Sequence, residues 1–165
     1  MSKIVGPISI FGIKYDGTIE KGANLPRLVI EVARKSNFKI IDGDIVILTH
    51  TVVAKAEGLV FNLNKVKPSP FAEAIAKKLD KDPRVVQLIL NETRNIVRLE
   101  RKNLITESKA GVISANAGVD LSNVDGGNSA VTVPRNPDKV AKKYAEEFKK
   151  LGLDVAVIIT DTLGR

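Results

Sequence analysis

Three short stretches of the chain carry side chains suited to chemistry on an anionic substrate. The first is Ala115-Asn116-Ala117-Gly118-Val119-Asp120-Leu121-Ser122-Asn123, which is polar and contains glycine, and sits between segments that read as apolar strands. It offers the carboxylate of Asp120, the amides of Asn116 and Asn123 and the hydroxyl of Ser122. These are hard oxygen donors and hydrogen-bonding groups suited to a metal-bound phosphate. An ordinary surface turn draws on the same residue types for backbone reasons. The second stretch is Asp154-Val155-Ala156-Val157-Ile158-Ile159-Thr160-Asp161-Thr162, an apolar run followed at once by a carboxylate and a hydroxyl. Ligand-binding groups of α/β architectures gather at the C-terminal ends of strands, so Asp161 and Thr162 form a second ligand pair; the alternative is an Asp that caps the next element.

The third stretch, Thr49-His50-Thr51-Val52-Val53-Ala54-Lys55-Ala56-Glu57-Gly58, sets hydroxyls, an imidazole and an ammonium close together. Hydroxyls and a lysine hold phosphate oxygens, the lysine as a point charge. A lone histidine among β-branched residues is also a common structural side chain, and Lys55 with Glu57 equally makes an exposed ion pair.

The elements that must position these groups follow from pattern. Lys3 to Ile10 reads as a strand, with Pro7 placing it at a sheet edge, and Gly12 to Gly17 as a turn or loop. Asn24 caps a helix whose buried face is Leu25, Leu28, Val29 and Val32. Ile45 to Leu48 reads as a buried strand delivering Thr49, His50 and Thr51 to its end, and Leu59 to Leu63 as another strand. Ser69-Pro70 and Asp82-Pro83 each start a helix; the first ends near Leu79. The second is a long amphipathic helix through Val85, Val86, Leu88, Ile89, Ile96 and Val97, with Arg84, Glu92 and Arg94 on a solvated face. Gly111 to Ser114 and Ala130 to Val133 read as strands, and Asn136-Pro137-Asp138 opens a last helix that runs through Lys150 and stops at Gly152. Helices and strands mix without strict alternation, which predicts an α+β fold. There is no internal repeat, Walker loop or dinucleotide fingerprint.

Composition sets the bounds. With 165 residues, 44% hydrophobic and 27% charged, the chain can bury a real core as one domain or two small interlocked ones. No run approaches a membrane span and no signal-peptide pattern opens the chain, so the expectation is a cytoplasmic protein. Zero Cys and a single His exclude thiolate sites and polyhistidine zinc. The net charge of +7 raises a nucleic-acid-binding module as one reading. Basic residues interleaved with acidic ones read as a solvated face, aromatics at 4% offer few stacking platforms, and a basic pocket for an anionic small molecule fits the charge equally well.

Taken together, Thr49 to Gly58, Lys81-Asp82-Pro83-Arg84 with its helix, Asn116-Ala117-Gly118-Val119-Asp120 with Ser122-Asn123, and Val155 to Arg165 resemble the coenzyme F420-0:L-glutamate ligase family over nearly the whole chain. The resemblance implies an α+β fold of mixed sheets and helices in interlocked subdomains, and a homodimer. It implies a GTP-dependent enzyme that adds γ-linked L-glutamate to coenzyme F420-0, the lactyl-phosphate form of a deazaflavin, through an acyl phosphate. The implied cofactor is a divalent cation, Mg or Mn, and a monovalent cation is a further candidate.

Residue by residue, the resemblance places Asp120 and Asp161 on one cation and Thr162 on a second. His50, Thr51, Lys55 and Asn123 fall at GTP contacts, and Gly12-Ile13-Lys14-Tyr15 at an N-terminal nucleotide loop. No protein nucleophile is implied, and no catalytic residue is singled out. Position 54 is Ala where the family commonly has a small hydroxyl. Family members continue beyond Arg165 into a segment with further nucleotide and metal contacts. Residues 1–165 are therefore expected to be the N-terminal and central part of a longer enzyme, incompetent as a ligase alone. The alternatives are a pseudoenzyme or fragment that dimerises without turnover and, below these, the basic nucleic-acid module.

Overall fold

A computed structural model of the chain describes residues 6–100, 103–121 and 128–161. Four of its five helices begin at the punctuation the sequence announces. Asn24, Ser69, Asp82 and Asn136 each accept a backbone N–H of the first turn, and a proline stands at the start of each helix: α1 (Leu25–Lys35), α3 (Pro70–Leu79), α4 (Pro83–Glu92) and α5 (Pro137–Lys150). A proline there loses no hydrogen bond, because those first N–H groups have no intrahelical acceptor. The remaining helix, α2 (His50–Ala56), follows directly from strand β1 (Ile45–Thr49), with Thr49 as its N-cap.

The strands form three small sheets, as the mixed α+β pattern predicts. β1 pairs in parallel with β7 (Ala156–Thr160), from Ile45 against Ala156 to Thr49 against Thr160. β2 (Val60–Asn62) pairs antiparallel with β6 (Ser129–Val131). β3 (Thr93–Glu100), β4 (Asn103–Ser108) and β5 (Ile113–Ala115) make an antiparallel sheet in that order.

Two cores result. In the first, Val46, Leu48, Val157 and Ile159 turn one face of the parallel pair towards Leu25, Val53, Tyr144 and Phe148 of α1, α2 and α5. In the second, Leu79, Val86 and Ile89 of α3 and α4 pack with Leu104 of β4, Ala117 and Ala130. Each such buried aliphatic side chain contributes roughly 1.5–3 kcal/mol.

Four expectations are corrected. Residues 6–10 form no strand, and Ile8 and Ile10 are 90% and 86% exposed; Pro7 lacks a donor, and no described strand offers this segment a ladder. The remainder of that expected strand lies outside the described residues. The helix begun at Pro83 stops at Glu92, and Ile96 and Val97 belong to β3. The Thr93 hydroxyl donates to the carbonyl of Ile89 at 2.7 Å as its backbone turns extended, and β-branched side chains favour the strand that follows. Glu92, expected on a solvated face, keeps a side chain only 15% exposed beside Arg135. β1 and β7 are covered on one face only: Ile45, Ile47 and Ile158 on the other are exposed. Strand β4, which the pattern did not announce, is the middle strand of its sheet. No helix among the described residues is long and apolar enough to cross a membrane.

Candidate functional site

A broad cleft of about 3130 Å³ gathers the candidate residues. One wall comes from the uncovered face of β1 and β7, through Ile45, Ile47 and Ile158; another comes from Ile105 and Ile113 of the antiparallel sheet. The start of α2 and the segment that ends at Asp120 line it as well.

Parallel register builds the first half of the site. Thr49 and Thr160 are partners at the C-terminal ends of β1 and β7, so the residues that follow them emerge together. His50 Nδ1 lies 3.1 Å from Asp161 Oδ1. The imidazole is buried and its Nε2 has no hydrogen-bond partner among the described residues. With Nδ1 beside the carboxylate, Nε2 is a buried nitrogen whose hydrogen bond is unmet among the described residues.

Asp120 arrives from the other side. Its backbone N–H and C=O exchange hydrogen bonds with Val131 at 3.0 and 2.9 Å, which welds it to the β2–β6 pair. Leu59, just before β2, donates to Ala54 of α2 at 2.7 Å. The backbone thus links Asp120 to α2, where Thr51 Oγ1 donates to Asp120 Oδ2 at 3.5 Å. Consecutive residues of one helix therefore each hold a carboxylate from a different sheet. Lys55 stands one turn beyond Thr51, on the same face of α2, and lines the same cleft.

The far end of α2 is anchored to α5. Glu57 Oε1 accepts from the Tyr144 hydroxyl at 2.6 Å and from Lys143 Nζ at 2.9 Å. Burial pushes the Glu57 carboxyl up, but the bonds from Lys143 and Tyr144 outweigh it and hold the group below its ordinary range. Burial first, and the carboxylate second, push the Tyr144 phenol far up. Both partners therefore keep the protonation states their hydrogen bond needs.

The stretch before Asp120 is held in an uncommon backbone conformation. Asn116, Ala117 and Gly118 have φ of 55, 52 and 72° in succession. The alanine is buried in the second core, and a Cβ on Gly118 would collide with a methyl of Val133. Left-handed φ costs an alanine of order 1–2 kcal/mol, so the surrounding packing imposes this turn. Lys81 Nζ, from the α3–α4 connection, donates to Asn116 Oδ1 at 2.8 Å.

The structure brings His50, Thr51, Lys55, Asp120 and Asp161 to one cleft, and Ile13 and Tyr15 also line it. Gly12 and Lys14 lie outside the lining, and Lys14 pairs with Asp16 at the surface. Asn123 and Thr162 lie outside the described residues. Lys21 and Lys81 line the cleft as well, although sequence reasoning assigned neither a ligand. Lys81 stands in one of the stretches that carry the family resemblance, but what places it in the cleft is a contact with a residue far along the chain.

A divalent cation here would draw on the oxygen donors of the cleft. No group of three His, Cys, Asp or Glu able to enclose a metal occurs among the described residues. A magnesium-like ion needs no such cage: it takes one or two carboxylates and completes its shell with water and substrate phosphates. Ligating carboxylates are themselves held by neighbours, as Asp120 is by the Thr51 hydroxyl and Asp161 by the nearby His50 imidazole. The residues fit such an ion.

A family model described as F420-0:Gamma-glutamyl ligase matches residues 12–165. Among curated relatives, the coenzyme F420:L-glutamate ligase of Methanopyrus kandleri is 43% identical over 93% of this chain and 59% of its own length. The enzyme of that name from Methanothermobacter thermautotrophicus is 38% identical over 96% of the chain and 63% of its own. That of Methanocaldococcus jannaschii is 44% identical over 79% of the chain and 52% of its own. The chain spans between half and two thirds of the length of these relatives.

Proposed function

From membership of the F420-0:gamma-glutamyl ligase family, to which this chain belongs, we infer that its cleft binds GTP with a divalent cation and serves the ligation of L-glutamate to F420-0. In this reading a carboxylate oxygen of the acceptor attacks the γ-phosphorus of GTP, the bond to the bridging oxygen breaks, and GDP leaves. The amine of glutamate then attacks the acyl carbon of the resulting acyl phosphate, phosphate leaves with its oxygen, and the amine sheds a proton to give the amide.

One observation carries the reading. His50 and Thr51 start one helix, each holds a carboxylate delivered by a different sheet, and Lys55 follows one turn later in the same cleft. Asp120 and Asp161 would hold the cation, whose chemistry when bound is to offset charge on the phosphate oxygens. Thr51 and His50 fix the two carboxylates. Lys55 supplies a point charge for phosphate. A protein nucleophile is unnecessary for acyl-phosphate chemistry, which depends on positioning and on cations around the transferred group. The formal charge of +7 suits substrates that are all anionic.

Calorimetric titration of the protein with Mn(II) and with GTP tests this. Asp120→Asn and Asp161→Asn should each abolish Mn(II) binding. Lys55→Ala should weaken GTP about tenfold with little change in melting temperature, as loss of one charge-assisted contact does. Unchanged Mn(II) affinity in both Asp variants would overturn the shared cation site.

A further inference from the structure

The ligase reading requires the cleft to hold more than phosphates: it must also seat the carboxylates of the amino acid whose amine attacks. The cation near Asp120 and Asp161 answers to phosphate, and those two carboxylates repel any third one that comes without its own counter-charge. A separate cationic subsite is therefore needed within reach of them. Resting on that reading, we propose that Lys81 and Asn116 form the carboxylate-binding subsite for the incoming amino acid.

Donor chemistry gives the pair its polarity. A lysine ammonium has donors and no acceptor, so at 2.8 Å it faces the amide oxygen of Asn116, and the amide is oriented with Oδ1 on the lysine. The Nδ2 group, with two donors, is turned away from the lysine. An ammonium and an amide N–H2 side by side are both hydrogen-bond donors, matched to the two oxygens of a carboxylate. Both residues line the cleft that Asp120, Asp161 and Lys55 line.

The backbone fixes where this pair sits. Asn116 precedes Asp120 by four residues, so their Cα atoms lie within about 14 Å of each other even if the chain between them were fully extended. The subsite is therefore within reach of a small dicarboxylic amino acid whose amine lies at the phosphoryl end. The intervening turn is the left-handed run of Asn116, Ala117 and Gly118, with Ala117 buried at 2% exposure. Strain of this kind is retained where the surroundings over-determine a conformation, and here it presents Asn116 to Lys81. A contact between residues so far apart in sequence also ties the α3–α4 connection to the loop that carries Asp120.

The pair could instead serve only to clamp the turn, and Asn116→Asp separates the two roles. Aspartate tolerates left-handed φ and keeps the bond to Lys81 as an ion pair, so a clamp survives, but the subsite loses its amide donors and gains a repelling charge. L-glutamate is titrated into the protein with Mg(II) and a non-hydrolysable GTP analogue, by calorimetry or ligand-observed NMR, and melting curves are recorded alongside. Asn116→Asp and Lys81→Met should each weaken L-glutamate about tenfold or more, with the nucleotide analogue changed less than about threefold; Lys81→Arg should keep most of the affinity. Unchanged glutamate affinity in Asn116→Asp with a normal melting curve would overturn the subsite. So would parallel loss of nucleotide and glutamate, which would assign the pair to the phosphates. A parent protein that binds the analogue and not glutamate overturns the subsite alone, whereas one that binds neither overturns the ligase reading beneath it.

Discussion

The two halves of the molecule bring their functional groups to the cleft by different physical means. In the half built on β1 and β7, unstrained strands in parallel register end side by side, and the groups just past their ends, His50 and Asp161, meet because their strands do. In the half built on α3, α4 and the antiparallel sheet, Asn116 and Asp120 hang on a turn with successive positive φ, forced by burial of Ala117 and by the closeness of Val133 to Gly118. Regular pairing positions side chains without a local penalty. An irregular turn must be held by its neighbours, and its accuracy is only as good as that support.

The largest expected effect breaks the comparison at its irregular side. Gly118→Ala adds a Cβ at φ of 72° and drives it into Val133. Strain and overpacking together should cost about 3 kcal/mol by urea denaturation. Trimming Val133 to Ala in the same chain should recover the steric share and leave the conformational share. A loss under about 0.5 kcal/mol for Gly118→Ala would show that the turn relaxes freely and that the contrast between the halves is false.

A smaller effect is expected on the regular side. Tyr144→Phe removes the hydroxyl that donates to Glu57, while Lys143 continues to donate to the same oxygen. The loss should be about 1 kcal/mol, or ~3 °C in melting temperature. A measurably looser GTP complex in this variant would show that α5 tunes the far end of α2.

The smallest effect lies in the acid limb of stability, and both halves contribute to it. Arg84's hydrogen bonds, against a lesser cost of burial, hold the Asp82 carboxyl below its ordinary value of 3.8. Glu57 is likewise held below its ordinary 4.5, its hydrogen bonds outweighing burial. A depressed carboxylate stabilises the fold fully above its unfolded value and loses that contribution as pH falls through its folded value. Asp82→Asn and Glu57→Gln should each flatten the fall in melting temperature below about pH 4.5 and leave its slope near neutrality unchanged. Similar flattening by both variants would sharpen the view that these bonds act as independent anchors; a change confined to Glu57→Gln would make the first core the acid-labile one.

How much of this was legible in the sequence follows the same division. Capped, proline-started helices announce themselves locally, and Asn24, Ser69, Asp82 and Asn136 did so. The carboxylate after the Val155 to Ile159 run was placed by its position at a strand end. What failed was long-range. Ile96 and Val97 continue the apolar spacing of α4, and only the sheet formed with β4 decides that they are strand. Ile45, Ile47 and Ile158 looked buried because nothing local states that a strand face will border a cleft. The bonds of Thr51 to Asp120 and of Lys81 to Asn116 join residues whose separation no local pattern encodes. An alanine at positive φ carries no sequence marker at all.

The parallel pairing of Ile45 with Ala156 has a consequence for the order of events in folding. The α3–α4 hairpin and the β3–β4 ladder find their partners among near neighbours, but β1 must wait for a strand far along the chain, and closing so large a loop has an entropic cost that local contacts do not repay. The α3–α4 hairpin and the β3–β4 ladder can therefore assemble first, while His50 has no Asp161 to meet. The cleft then matures after these local units, and on the ligase reading nucleotide-binding competence should lag behind helix formation in a refolding time course.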